Sequence, residues 1–194
     1  MNFYITSDQH FMHFNIIKYA NRPFELSNDG VIDNISVIGK NYNSLVQEED
    51  LVFHLGDLGH GRAQNHENIG HILSNLKGRK ILLKGNHDRW DDSFYLKYFE
   101  QVKKYLIVDS TFFCHYPCYE VHDNVQEEVQ LIKVLKGTSC TKIFHGHIHD
   151  KDPAIWQKDG YIRTNFSVDF PPNNYFPIQI TNPKMINFLL EKYK

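Results

Sequence analysis

The chain has 194 residues, 41% hydrophobic and 14% aromatic, with a formal net charge of −2. That is ample for one real core, and it predicts a single domain spanning 1–194. The near-neutral balance argues against gripping extended nucleic acid through its phosphates, though it leaves room for a local basic pocket, and no apolar run approaches a membrane helix in length.

In chain order, residues 2–6 read as a short buried strand ending in Ser7-Asp8-Gln9-His10. Asp8 and His10 are two apart, so both can face one point at the strand's C-terminal end, where α/β sheets bind ligands. Asp8 as a helix N-cap with His10 exposed is an equally good local reading. Residues 14–20 predict a short helix, stopped by Asn21-Arg22-Pro23. Asp29 is a plausible cap for the next helix, whose core stripe is Val31, Ile35, Ile38, Tyr42 and Leu45, with Gly39 a weak point.

Residues 51–55 form an apolar strand that runs into Gly56-Asp57, followed by the glycine-rich Leu58-Gly59-His60-Gly61. A helix is predicted over 65–76, with His66 and His71 on its solvated side. A buried strand over 80–83 ends in Gly85-Asn86-His87-Asp88-Arg89. A Gly-Asn turn into a helix capped by Asp88 explains part of that run but leaves His87 and Arg89 idle. A helix over 91–101 and strands over 102–108 and 111–114 follow, the second strand ending at His115. Val125, Val129, Ile132 and Leu135 mark another helix, closed by Gly137. A strand over 141–144 leads into His145-Gly146-His147-Ile148-His149. Strands over 161–168 and 177–180 and a helix over 183–192 complete the chain.

The three cysteines, Cys114, Cys118 and Cys140, are odd in number and follow no leader-like segment. They predict reduced, part-buried thiols in a cytoplasmic compartment, since no second Cys/His pair stands at zinc-finger spacing. The 12 histidines are unusual. Several fall in short clusters with Gly or Asp, as metal or acid–base sites do. His147 and His149 taken alone are a weak signal, since exposed turn histidines share that spacing. Five strand ends presenting Asp8/His10, Asp57, Asn86/His87, His115 and His147/His149 are a strong one, because strand–helix alternation gathers such ends along one sheet edge.

In this order, Asp8-x-His10, Gly56-Asp57, Gly85-Asn86-His87-Asp88, His115 and Gly146-His147-x-His149 resemble the calcineurin-like metallophosphoesterases. The segment from Ser7 to Ile17, the run Asn21-Arg22-Pro23-Phe24 and the tail Asn165-x-Ser167-Val168-Asp169 are similar to its short, single-domain bacterial and bacteriophage branch. The resemblance implies an α/β fold of two packed mixed sheets flanked by helices, in four layers. It implies two divalent metals per chain: Asp8, His10 and His149 on the first, Asn86, His115 and His147 on the second, and Asp57 bridging both. Imidazole, amide and carboxylate donors suit manganese, iron, zinc or nickel better than magnesium. The nucleophile would be hydroxide bridging the metals, and His87 the general acid, oriented by Asp88. Arg89 and Arg22 are candidates for phosphate contact. His13 lines the pocket or is merely solvated. His54 and His145 support or pack beside ligands.

The expected activity is hydrolysis of phosphodiesters, on small nucleotide or cyclic-nucleotide substrates, in the cytoplasm and without a membrane. The competing readings are a phosphomonoesterase or protein phosphatase, a nuclease with a partner subunit, and an inactive scaffold. Oligomeric state is left open. The compact loop after Asp57, with its own His60, departs from the aromatic-containing loop of that branch and puts loop contacts to substrate in doubt.

Overall fold

The computed structural model describes residues 1–60, 63–119, 126–151, 155–171 and 173–193. One sheet holds β1 (Phe3–Thr6), β2 (Leu51–His54), β3 (Arg79–Leu83), β4 (Gln101–Lys103) and β10 (Ile178–Gln179) in the order β10-β1-β2-β3-β4. Only β10 runs antiparallel to its neighbour. The other holds β5 (Tyr105–Val108), β6 (Thr111–Cys114), β7 (Lys142–His145), β8 (Ile155–Lys158) and β9 (Tyr161–Asn165) in the order β5-β6-β7-β9-β8. Its core β6-β7-β9 is parallel, with an antiparallel strand at each edge. The helices are α1 (Ile16–Tyr19), α2 (Asn28–Leu45), α3 (His66–Ser74), α4 (Asp92–Tyr95), α5 (Gln126–Lys136) and α6 (Pro183–Tyr193).

The layers follow from strand alternation, which sends successive side chains to opposite faces. Phe3, Ile5, Phe53, Ile81 and Leu83 turn toward the second sheet and meet Leu106, Val108 and Phe113 there, with Leu189 of α6. Tyr4, Val52 and Leu82 turn the other way, onto Ile38 and Tyr42 of α2 and Ile69 and Leu73 of α3. On the far face of the second sheet, Phe112, Cys114 and Ile143 pack on Leu131 and Leu135 of α5. The result is the expected α/β architecture of two mixed sheets flanked by helices.

Several elements differ from the sequence reading. The strand expected over 102–108 is two strands in different sheets: β4 pairs with β3, β5 pairs with β6, and the chain crosses between sheets at Lys104. An apolar run reports burial, and burial is the same on either side of that switch. The helix expected over 91–101 is the single turn α4, because 101–103 are recruited as an edge strand beside Ile81, Leu82 and Leu83. The helix expected over 14–20 is likewise only α1. Ser27, not Asp29, caps α2: its hydroxyl accepts from Gly30 N at 3.1 Å. Leu45 falls off the stripe and is exposed. A 3-10 turn, Ala63–Asn65, precedes α3. The edge strand β8 was not anticipated, since its side chains are only partly buried. Val125 and Gly61 lie outside the described residues. Among those described, no helix is long and apolar enough to cross a membrane.

Candidate metal centre

The C-terminal ends of β1, β2, β3, β6 and β7 carry Asp8/His10, Asp57, Asn86/His87, His115 and His147/His149. The two sheets meet here: Ser7, just past β1, bridges in parallel to Ser167, just past β9. The paired residues do not converge by strand alternation. Asp8, His10, Asp57, His147 and His149 all have left-handed backbone, with φ of 60°, 50°, 53°, 72° and 53°. Such residues cost on the order of 1–3 kcal/mol each and cluster at functional sites, where the surrounding fold holds them. Tight turns, not extended segments, aim these side chains inward. Two glycines let the turns approach. A Cβ on Gly146 would collide with Ser7 Oγ and Asp8 Oδ2, and one on Gly85 with Asp57 Oδ1.

Asp8, His10 and His149 form one group that could hold a metal ion, and Asp57, His115 and His147 form another; within each, the donor atoms lie within 4.8 Å of one another. Asp57, in the second group, also reaches toward the first: its Oδ2 is 3.5 Å from His10 Nε2 and 3.4 Å from His115 Nε2. His115 Nε2 is 3.1 Å from His147 Nδ1. Both ring nitrogens of His10 and Oδ1 of Asn86 are buried with no hydrogen-bond partner. Unpaired buried polar atoms are costly and rare, and a cation at their focus would satisfy them. A third group, His10, His13 and His87, adjoins the first.

The electrostatics agree with this fit. Burial pushes the Asp8 carboxyl up. Burial also opposes charge on Asp57, yet the His115 ring beside it holds that carboxyl well below the usual range. Burial opposes charge on His115 too, but Asp57 pushes it up to about 10. Burial, with His149, Arg22 and His87 nearby, keeps His10 well below the ordinary histidine range against the pull of Asp57. Two buried carboxylates among imidazoles call for positive charge at their centre.

A supporting shell fixes the rings. His115 Nδ1 bonds Leu55 O at 2.8 Å, which leaves Nε2 facing the centre. His149 Nδ1 bonds Asp169 Oδ2 at 2.6 Å. His147 N donates to both oxygens of Asp8, at 3.0 and 3.1 Å.

Two expected roles are corrected. Arg22 cannot contact phosphate, because it is buried and its donors are spent inside: Nε and Nη2 on the Asp169 carboxylate, Nη1 on Gln9 O and Asn34 Oδ1, and Nη2 also on Asp8 O. Asp88 does not orient the His87 ring. Its buried carboxylate accepts from Asp57 N at 2.8 Å, Leu58 N at 3.0 Å and Gly85 N at 2.9 Å, so it ties the β2 and β3 loops together. Burial, with Asp57 nearby, pushes the Asp88 carboxyl up to about 7. Arg89 is exposed and folds back on Asn86 O at 3.2 Å. His13 does line the cleft, its ring 4.4 Å from that of His60. His87 lines it too, its Nδ1 unpartnered and its backbone N–H on Asp57 Oδ1 at 2.9 Å. His54 and His145 are buried behind the site. Asp169 was given no role from sequence; the signal was a further strand, β9, running into an acidic residue.

The cleft has a volume of about 740 Å³ and two kinds of lining. One is the polar cluster. The other is formed by Ile16, Tyr19, Tyr119 and Ile148, with Lys151.

No family model matches the chain. The chain is 33% identical to the uncharacterized protein MJ1445 of Methanocaldococcus jannaschii, over 98% of this chain and 92% of that one. It is 31% identical to the gene 66 protein of Mycobacterium phage L5 over 45% of this chain and 40% of that one. Among solved structures, the protein of unknown function AQ665 from Aquifex aeolicus superposes with a TM-score of 0.69 at 26% identity, covering 92% of this chain and 95% of that one. The extent and identity of the archaeal match establish that the chain belongs to the same family as MJ1445.

Proposed function

We propose that the protein is a di-metal phosphoesterase of the calcineurin-like type, acting on phosphodiesters of small, nucleotide-type substrates. The observation that carries this reading is Asp57, whose one oxygen reaches toward His10 on one side and His115 on the other. A carboxylate set between two three-residue donor groups fits a pair of ions sharing a bridging ligand, with Asp8, His10 and His149 on one and Asn86, His115 and His147 on the other. When bound, manganese or a similar borderline ion supplies positive charge to the phosphoryl oxygens and lowers the pKa of water.

The chain's own residues do the rest. Arg22, through Asp169, holds His149 in one orientation. Asp88 pins the backbone that presents Asp57. His87 lines the cleft beside the cluster, its ring 4.9 Å from that of His10, where it can hand a proton to a leaving oxygen. The open cleft supports the diester preference, since it accommodates a second substituent on phosphorus. Rates on paired chromogenic mono- and diesters, with manganese, nickel and zinc compared, test this. A diester preference is expected; a clear monoester preference would replace the reading with a phosphomonoesterase.

A further inference from the structure

The cleft is larger than a phosphate needs, and part of its lining belongs to none of the candidate metal groups. Tyr19, on α1, is 69% exposed and lines the cleft, so its ring is within reach of a ligand held there. Its ring stands edge-on to His13 at 6.3 Å. Tyr119 is held in place: Trp156 meets its ring at 4.8 Å and 87°, Lys158 Nζ lies 4.5 Å from the ring centre, and the buried Arg163 5.7 Å. Ile16 and Ile148 line the same cleft. Lys151 is exposed there, and among the described residues it is the one lysine or arginine lining the cleft, because Arg22 is consumed within the fold and Arg89 lies outside.

The geometry points to Tyr19, Tyr119 and Lys151 as the residues that select the substrate: a phosphodiester whose retained substituent is planar and aromatic, such as a nucleoside, bound against the two tyrosines while Lys151 meets the phosphate charge. This rests on the phosphodiesterase reading. Tyrosines favour a planar π-face over an aliphatic chain because stacking adds to area burial, on the order of 1–3 kcal/mol per base. The lysine gives a point charge suited to a phosphate oxygen.

The test uses the full-length, manganese-reconstituted protein and three diesters with one leaving group: the p-nitrophenyl esters of thymidine 5′-phosphate, hexyl phosphate and methyl phosphate. Wild type is expected to favour the thymidine ester over both others by roughly tenfold or more in kcat/KM, the range that stacking supplies. Tyr19→Ala should lower kcat/KM for the thymidine ester far more than for the methyl ester, and Tyr19→Phe should restore the preference. Lys151→Ala should raise KM for all three esters, and Lys151→Arg should largely recover it. Equal rates on the hexyl and thymidine esters, or a preference that survives both Tyr19→Ala and Tyr119→Ala, would overturn the assignment. If no diester is turned over, the phosphodiesterase reading has failed and calorimetric binding of AMP decides this one. Binding lost in Tyr19→Ala sustains it; binding absent from wild type, or equal in both proteins, ends it.

Discussion

Two buried arginines brace the two sides of the cleft, and they do so differently. Arg22 stands on the metal side with a carboxylate partner, Asp169, whose other contact is His149. Its remaining donors hold the carbonyls of Asp8 and Gln9, the turn that presents two candidate ligands. Arg163 stands on the aromatic side and, among the described residues, bonds to no carboxylate, though the charge of Asp159 acts on it. It donates to the carbonyls of Pro117, Cys118, Lys158 and Tyr161 and lies against the rings of Trp156, Tyr119 and Tyr161. A buried guanidinium without an ion partner depends on carbonyl dipoles and ring faces to offset its desolvation. The difference follows from what each side must hold. A cluster of carboxylates and imidazoles needs its ring orientations and charges set together, whereas an aromatic wall needs only its backbone held still.

If the comparison is right, losses of chemistry should concentrate on the metal side. The largest is expected for Asp57→Ala: metal content by mass spectrometry should fall from two per chain to one or none, with turnover down about a thousandfold or more. Two ions still tightly bound in that variant would break the picture of a shared carboxylate. His87→Ala should keep its metal and lose about 10²–10⁴ in kcat, most with poor leaving groups; an unchanged rate removes His87 from the chemistry. Arg22→Ala leaves Asp169 as an unpaired buried charge, so urea unfolding should show a loss of about 3–5 kcal/mol, and metal affinity should weaken as well. Arg163→Met should destabilise as well, by about 1–3 kcal/mol for each carbonyl left buried and unpaired, but should leave metal affinity as in wild type. Equal metal loss in the two arginine variants would erase the distinction. Asp169→Asn keeps the shape but weakens the hold on His149 and leaves Arg22 without its counter-charge; metal affinity should drop about 10–100-fold, and unfolding should show a loss of the same sign as Arg22→Ala.

What the sequence determined by itself was local. Strands β1, β2, β3, β6 and β7 were legible because short apolar runs stop at Gly, Asp or His, and the same stops carried the candidate ligands. The stripe of α2 was legible because helix periodicity marks its buried face through Val31, Ile38 and Tyr42. Tertiary structure decided everything that depends on which partner a group finds. Arg22 looked like a cation for phosphate until Asp169, 147 residues away, took its fork. Asp88 looked like the partner of the adjacent His87, but backbone N–H groups 30 and 31 residues away claimed it. The switch of sheets at Lys104, the edge strand β8 and the left-handed turns that aim Asp8, His10, His147 and His149 left no mark in hydrophobic periodicity. Periodicity records whether a side chain is buried, and burial is a property of one residue. A hydrogen bond or a shared metal focus is a property of several, and packing alone brings those together.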